Sequence, residues 1–243
     1  MDPTTWSVQA RNLPEHASNP IHTDEGGRAA GFDAALVAGV TVYAYVTRPI
    51  VEAWGPAWLA EGGATVEFLS PVQAGDPVDC VPAAPTETGS VEVMALVGGE
   101  ERVRCTAWPG SPDGADRVRP LHEQLEPHVE PLTGGWADYG LRAGDDLGLY
   151  TESGIVHPAV WPALANGVMT RHLVDGAWIH TRSRIRHHGI AHVGATATVQ
   201  ATVVDRFESR SGRRAVLDVA ISVDGALVAT IEHEAIVALH PTG

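Results

Sequence analysis

Cysteine and basic residues are both scarce in this chain of 243 residues, and each scarcity excludes a class of protein. The two cysteines, Cys80 and Cys105, lie in apolar, strand-like segments and form no CxxC or CxxH pattern. We therefore expect buried free thiols in a reducing cytoplasm, with a single disulfide as the alternative. Lysine and arginine number 16 against 30 acidic residues, a formal net charge of −14, which disfavours nucleic acid and anionic membranes as partners.

Targeting segments, long apolar runs and several catalytic motifs are also absent from the sequence. The N-terminal residues 1–12 contain no basic segment followed by an apolar core, and no run approaches the ~20 apolar residues that span a bilayer. We expect a soluble, cytoplasmic protein. No serine lies in a G-x-S-x-G pattern, and no glycine pair has the spacing of a phosphate-binding loop, so neither motif supports a function.

The composition that is present supports a folded protein with two halves. Hydrophobic residues make up 44% of the chain and charged residues 19%, which suits one large domain or two modest ones. Composition separates an N-terminal half at 1–110, a connection rich in proline, glycine and acidic residues at 111–144, and a C-terminal half at 145–243. Trp136 and Tyr139 indicate ordered pieces within the connection.

Each half shows one helical segment followed by strands. In the first half, the apolar spacing predicts a helix over 36–54, in which Pro49 introduces a kink or marks the last part. Strands are predicted over 64–69, 77–82, 91–97 and 102–108. In the second half, we predict a helix over 158–174 and strands over 178–187, 195–207, 215–223 and 226–239. Asp224-Gly225 predicts a tight hairpin turn between the last two strands. This pattern is typical of an α+β architecture.

Three short matches in the same order indicate that the halves arose by duplication. Ala38-Gly39-Val40 matches Asn166-Gly167-Val168, and Ala57-Trp58-Leu59 matches Ala177-Trp178-Ile179. The turn at 72–78 matches the turn at 191–197.

The segment Asn19-Pro20-Ile21-His22, followed by Gly31-Phe32 and Gly39, resembles the signature of the MaoC-like, or (R)-specific enoyl-CoA hydratase, family. The resemblance covers most of residues 13–80 strongly and 150–240 weakly, through the internal repeat. It implies a double hot-dog fold, in which each half wraps a long helix in a curved antiparallel sheet. It also implies an acyl-thioester ligand of coenzyme A or of an acyl carrier protein, and we expect no metal or redox cofactor.

This sequence departs from the family's pattern at two positions that matter for catalysis. The family's catalytic aspartate falls on Ala17, five residues before His22, and alanine has no group that can act as a base. The family's histidine before the helical glycine falls on Ala38. The first half therefore keeps one imidazole of the signature without its acidic partner.

The second half offers a different pair. Glu152 lies five residues before His157, which is the separation that the family uses between its aspartate and histidine. We therefore predict Glu152 and His157 as an acid-base pair, with His22 and Asn19 as secondary site residues. The alternatives are a solvated loop pair for Glu152 and His157, and a structural hydrogen bond within its own loop for His22.

Hydration of a double bond conjugated to a thioester needs a base, an acid and hydrogen-bond donors for the enolate oxygen. Backbone N–H groups at a helix N-terminus supply such donors. The residues that we place near helix starts for this role are Gly39, Val40, Gly167 and Val168.

Three arginines alternate along one predicted strand and therefore share one face of the sheet. We predict that Arg182, Arg184 and Arg186 contact the phosphates of coenzyme A, with a solvated sheet face as the alternative. Nearby histidines fall on a strand and a turn without the spacing of metal ligands, so we expect no metal there. They are His180, His187, His188 and His192.

The sequence therefore predicts a hydratase or dehydratase acting on 2-enoyl or 3-hydroxyacyl thioesters. A thioesterase or another acyl-thioester enzyme on the same fold, with Glu152 activating water against the carbonyl, is one alternative. A catalytically inactive acyl-thioester-binding protein is another, and Ala17 favours it. Because hot-dog units pack in pairs and this chain holds two, we expect a monomer or a homodimer.

Overall fold

The computed structural model describes residues 1–110 and 123–240, whose strands form one antiparallel sheet. The strands are β1 (Trp6–Gln9), β2 (Gly63–Phe68), β3 (Pro77–Pro82), β4 (Val91–Val97), β5 (Glu100–Trp108), β6 (His128–Pro131), β7 (Ile179–His187), β8 (Thr196–Ser209), β9 (Gly212–Val223) and β10 (Ala226–Leu239). Their order across the sheet is β1-β3-β4-β5-β2-β7-β10-β9-β8-β6. The predicted Asp224-Gly225 turn is confirmed, with φ of 50° and 84°.

Two long helices pack against this sheet. The helices are α1 (Asp24–Ala29), α2 (Gly39–Glu61), α3 (Tyr139–Ala143), α4 (Leu149–Ser153) and α5 (Val160–His172). Helix α2 packs against the first-half strands and β7, and helix α5 packs against β7, β9 and β10. The predicted α+β architecture is confirmed.

The two halves repeat the same strand arrangement. The order β1-β3-β4-β5-β2 in the first half corresponds to β6-β8-β9-β10-β7 in the second. Strands β2 and β7 pair with each other, from Gly63 opposite Arg186 to Glu67 opposite Arg182, so the sheet is continuous across the halves.

Helix α2 is buried on every side over residues 40–51, as its apolar composition predicts. It continues through Pro49 and breaks instead at Gly55, where φ is 62° and ψ is −158°. The break lies there because the ring of Pro56 disfavours helical backbone at the preceding residue, and glycine alone tolerates the resulting conformation. The backbone therefore stays helical at Pro49, and the helix extends to Glu61 rather than to Trp54 as predicted.

Helix α5 begins earlier than the sequence repeat suggested. The isolated bridges Leu36–Gln73 and Ile155–His192 occupy the same place in the two halves. The helix-preceding residue Ala38, two positions after Leu36, therefore corresponds to His157. Gly167 lies inside α5, so its match to Gly39 reflects similar letters rather than equivalent positions.

The described part of the predicted connection contributes to the second half. Strand β6 forms the edge of the sheet beside β8, and Leu132 and Tyr139 are buried. Residues 111–122 lie outside the described ranges, and the division at 1–110, 111–144 and 145–243 stays a prediction. Cys80 and Cys105 are buried and free. Among the helices of the described ranges, none combines the length and the apolar character needed to span a membrane.

Candidate active site

A cavity of about 1420 Å³ lies between the two halves, at the N-terminal end of α2. The first half contributes the loop with Asn19 and His22, together with Gly39. The second half contributes Gly167 of α5 and His180 of β7. Pockets for small-molecule ligands typically have volumes of about 300–1,000 Å³, so this cavity has room for a long ligand.

Asn19 fixes the first-half loop to the second half. Pro20–His22 form a 3-10 turn that begins with proline, and Ile21 within it is buried. Asn19 Nδ2 donates to the carbonyl oxygen of Trp178 at 3.0 Å. Its Oδ1 is buried without a hydrogen-bond partner in the described structure. The loop is therefore held in place, and one amide acceptor is left for a ligand or water.

The hydrogen bond of His22 sets its tautomer. Nδ1 lies 2.7 Å from the carbonyl oxygen of Leu36. Because a carbonyl oxygen only accepts, Nδ1 carries the proton and Nε2 is left as an acceptor. Burial lowers the pKa of His22, and the bond to Leu36 opposes this shift. His22 is thus a neutral imidazole with a basic nitrogen in a residue that lines the cavity.

The position of the family's aspartate does not face this space. Ala17 is exposed and is not part of the cavity wall. The preceding His16 lines the wall, with its Nε2 2.9 Å from Tyr139 Oη, which in turn lies 2.8 Å from Thr41 Oγ1. Burial, followed by the electrostatic effect of the neighbouring His22, lowers the pKa of His16 to about 4. No local motif in the sequence points to His16 or to its link to Tyr139.

The N-terminus of α2 lies at the cavity wall, through Gly39. Ala38 precedes the helix and has no capping side chain, so the first N–H groups lack intrahelical partners. Gly39 lines the cavity, whereas Val40 is completely buried. A Cβ on Gly39 would stand 3.2 Å from both His180 Nδ1 and Phe68. Glycine therefore lets the helix end approach these two side chains closely.

Neither a protein-family model nor a curated protein matches the sequence. Among solved structures, the chain is similar to a conserved hypothetical protein from Mycobacterium tuberculosis with a double hotdog fold (TM-score 0.65, 11% identity, covering 97% of this chain and 96% of that one). The chain has a double hot-dog fold. Other similar structures are a MaoC-like dehydratase (0.61, 14%, 97% and 98%) and an acyl-ACP thioesterase from Bacteroides thetaiotaomicron (0.55, 9%, 95% and 96%).

The double hot-dog fold confirms the architecture that the sequence resemblance implied. At identities of 9–14%, the likeness establishes the fold. The names of these structures cover both dehydratase and thioesterase, so within this fold the reaction has to be argued from the side chains of the site.

The double hot-dog structure does not bring Glu152 and His157 together. Glu152 lies on α4 with an exposed side chain, whereas His157 is completely buried just before α5. Gly154, with φ of 66°, ends α4 and turns the chain between them. No hydrogen bond or ion pair joins the two side chains in the described structure. Equal spacing to the family's pair therefore does not produce an equal arrangement.

His157 instead faces Asp145. Its Nε2 lies 3.9 Å from Asp145 Oδ2, and both atoms are buried without hydrogen-bond partners in the described residues. Burial raises the pKa of Asp145 to about 6 and lowers that of His157 to about 3. The imidazole is therefore neutral, and the contact is not an ion pair. Neither residue lines the cavity.

The other predicted donors and cations also lie apart from the α2 terminus. Gly167 and Val168 sit in the middle of α5, where the helix uses their N–H groups. Arg182 on the outer face of β7 forms ion pairs with Glu232 and Glu234. The structure thus places Gly167 in the cavity wall but not at a helix start.

The remaining two arginines of β7 share the outer face with Arg182. The guanidinium of Arg184 lies 5.6 Å from the ring of Trp108, and Arg186 faces the same side. None of the three lines the cavity. Within residues 1–110 and 123–240, no three His, Cys, Asp or Glu side chains form a group that could hold a metal ion.

Proposed function

We propose that the protein is an acyl-thioester enzyme that adds water to 2-enoyl thioesters or removes it from 3-hydroxyacyl thioesters. One observation carries the proposal: His22, with a basic Nε2, and the N-terminus of α2 at Gly39 belong to the wall of one large cavity. The double hot-dog fold supports it.

In this proposal, the thioester oxygen binds at the N–H of Gly39. Negative charge builds up on that oxygen when the double bond is attacked, and the helix dipole stabilises it. The acyl chain and the pantetheine arm of coenzyme A or an acyl carrier protein fill the rest of the cavity between the halves.

Proton transfer falls to His22. Its Nε2 takes a proton from water as the water oxygen bonds to the β-carbon and the electron pair of the double bond moves towards the thioester oxygen. The same nitrogen returns that proton to the α-carbon. The unpartnered Oδ1 of Asn19 accepts a hydrogen bond from the attacking water. Dehydration is the reverse, and neither direction requires a metal or redox cofactor.

A thioesterase is the second candidate. The structural similarity to an acyl-ACP thioesterase favours it. In that reaction, the water that His22 activates attacks the carbonyl carbon, and the thiol leaves. The same oxyanion donor serves both reactions.

Incubation with crotonyl-CoA separates the candidates. Loss of the enoyl absorbance without free thiol supports hydration, and release of thiol supports the thioesterase. Saturable binding with neither reaction would overturn both in favour of an inactive binding protein. The corresponding crotonyl thioester of an acyl carrier protein shows which carrier is preferred.

His22→Ala tests the assigned base. We expect the rate to fall by about 10²–10⁴-fold, the usual contribution of a general base. His192→Ala, in an exposed turn outside the cavity, is the matched control and should leave the rate unchanged. A wild-type rate in His22→Ala would remove His22 from the mechanism.

A further inference from the structure

Three buried polar side chains form a row between β7 and β10. His180 Nε2 lies 2.8 Å from Ser183 Oγ, which lies 2.8 Å from His233 Nδ1. Ser183 and His233 are completely buried, and His180 is 6% exposed. The mechanism above uses none of them.

One end of the row reaches the cavity. His180 is a wall residue, and its Nδ1 has no hydrogen-bond partner in the described structure. The same nitrogen lies 3.2 Å from the position that a Cβ atom on Gly39 would occupy. A buried, unpaired ring nitrogen beside a helix N-terminus points to a group that arrives with the ligand.

We propose that His180 Nδ1 donates a hydrogen bond to the carbonyl oxygen of the bound acyl thioester, alongside the N–H of Gly39. The inference rests on the proposed function and adds a second oxyanion donor to it. No proton leaves His180 in the reaction, since the imidazole only stabilises the charge that develops on the oxygen.

The buried row can hold the required tautomer. In the arrangement that this role requires, His233 donates from Nδ1 to Ser183 Oγ and the Ser183 hydroxyl donates to His180 Nε2, which leaves the proton of His180 on Nδ1. Ser183 and His233 are thus positioning residues. Burial lowers the pKa of His180 to about 3 and that of His233 well below its ordinary value, which keeps both rings neutral.

Packing fixes the ring of His180 relative to the other site residues. Its ring centroid lies 4.6 Å from that of Phe68 and 4.3 Å from that of His233. Two residues earlier, the carbonyl oxygen of Trp178 holds Asn19 in the loop that carries His22. The first-half base and the second-half donor are therefore coupled through one short segment.

His180→Leu and His180→Asn test this role with crotonyl-CoA as the probe. The leucine variant should lose about 10²–10³-fold in kcat with a smaller change in KM, the usual effect of removing one oxyanion donor. Asparagine places an amide near the position of Nδ1 and should recover part of the loss. His187→Leu is the control. His187 is also buried on β7, but its Nδ1 forms a hydrogen bond with the carbonyl oxygen of Trp58 and the residue lies outside the cavity.

Nitrogen-15 NMR supplies a readout independent of activity. We expect His180 to be protonated at Nδ1 in the wild type and its Nδ1–H signal to shift on addition of crotonyl-CoA, and we expect Ser183→Ala to weaken this preference. Protonation at Nε2 alone would overturn the inference even if His180→Leu fails to fold.

The two proposals fail in different ways. Absence of crotonyl-CoA binding and turnover in the wild type would overturn both. Wild-type turnover together with an unchanged kcat in His180→Leu would overturn only the role of His180 and leave the proposed function standing.

Discussion

The role of each histidine in this protein is decided by what its ring nitrogens meet. His22 and His187 both place Nδ1 against a backbone carbonyl, of Leu36 and Trp58 respectively. Of these two histidines, only His22 lines the cavity. The same side chain is therefore a candidate base in one place and a core residue in the other.

Tyrosine hydroxyls give a residue-scale prediction for stability. Tyr139 and Tyr43 are both completely buried, but only the hydroxyl of Tyr139 has partners, His16 and Thr41. Tyr139→Phe should lower the free energy of unfolding by about 1–3 kcal/mol, because the buried Thr41 hydroxyl and the half-buried His16 ring lose their partner. Tyr43→Phe removes a hydroxyl that has no partner in the described structure and should be neutral or stabilising.

Urea unfolding of both variants, followed by circular dichroism, measures the two changes. The identical substitution at two fully buried sites makes each variant the control for the other. Equal destabilisation would show that loss of the hydroxyl's packing, rather than its hydrogen bonds, decides the stability.

The sequence groups together residues that line the cavity only where those residues are close in the chain. Asn19, His22 and Gly39 belong to one local signature, and the structure places all three in the cavity wall. His16 and Tyr139 are 123 residues apart, and no local pattern links them. For Glu152, spacing along the chain could not show that the turn at Gly154 separates it from His157.

Among the elements, interior strands were predicted better than edge strands. Strands β3, β4 and β10 have the predicted bounds, because one face of each is buried and the alternation is clear. The edge strands β1 and β6 have only four residues each, with no fully buried position, and give almost no pattern. Gly167 does not mark a helix start as Gly39 does, because it lies inside α5.

Two glycines in the long helices are expected to respond oppositely to alanine. Gly55→Ala should destabilise the protein by about 1–3 kcal/mol, because its φ of 62° and ψ of −158° suit glycine alone. Gly167→Ala should stabilise it by about 0.5–1 kcal/mol, because this residue lies inside α5. Neither added methyl group has an atom within 4 Å, so the backbone conformation decides whether each substitution stabilises or destabilises the protein.

Thermal and urea unfolding of the two alanine variants measure these effects side by side. A stable Gly55→Ala protein would mean that the helix straightens at Pro56 without cost, and the break at Gly55 would then not be required by the fold.

At the scale of the whole molecule, the continuous sheet encloses several neutral histidines between its strands and helices. His157, His180, His187 and His233 are all nearly or completely buried. Burial lowers the pKa to about 3 for His157 and His180, to about 4 for His187 and well below the ordinary value for His233. In the unfolded chain, each titrates near its ordinary pKa of about 6.5.

These shifts predict loss of stability in mild acid. Below about pH 6.5 these histidines bind protons in the unfolded state but not in the folded state. The free energy of unfolding therefore falls as the pH falls towards the folded pKa values. Each histidine contributes up to ~1.4 kcal/mol per pH unit. Burial raises the pKa of Asp145 to about 6, so this carboxyl binds its proton more readily in the folded state and opposes the loss of stability in acid. It is one group against four histidines.

Thermal unfolding between pH 7.5 and 4.5 tests this balance. We expect Tm to fall steeply below pH 6.5, since the four buried histidines together change stability by an amount comparable to the ~5–15 kcal/mol that holds a typical protein folded. His187→Gln removes one titrating group and should make the decline shallower, whereas His192→Gln, at an exposed position, should leave its slope unchanged. A Tm independent of pH over this range would mean that the buried imidazoles become charged within the folded protein. The lowered pKa values of His180 and His157 would then be contradicted, because equal pKa values in the folded and unfolded states give no dependence of stability on pH.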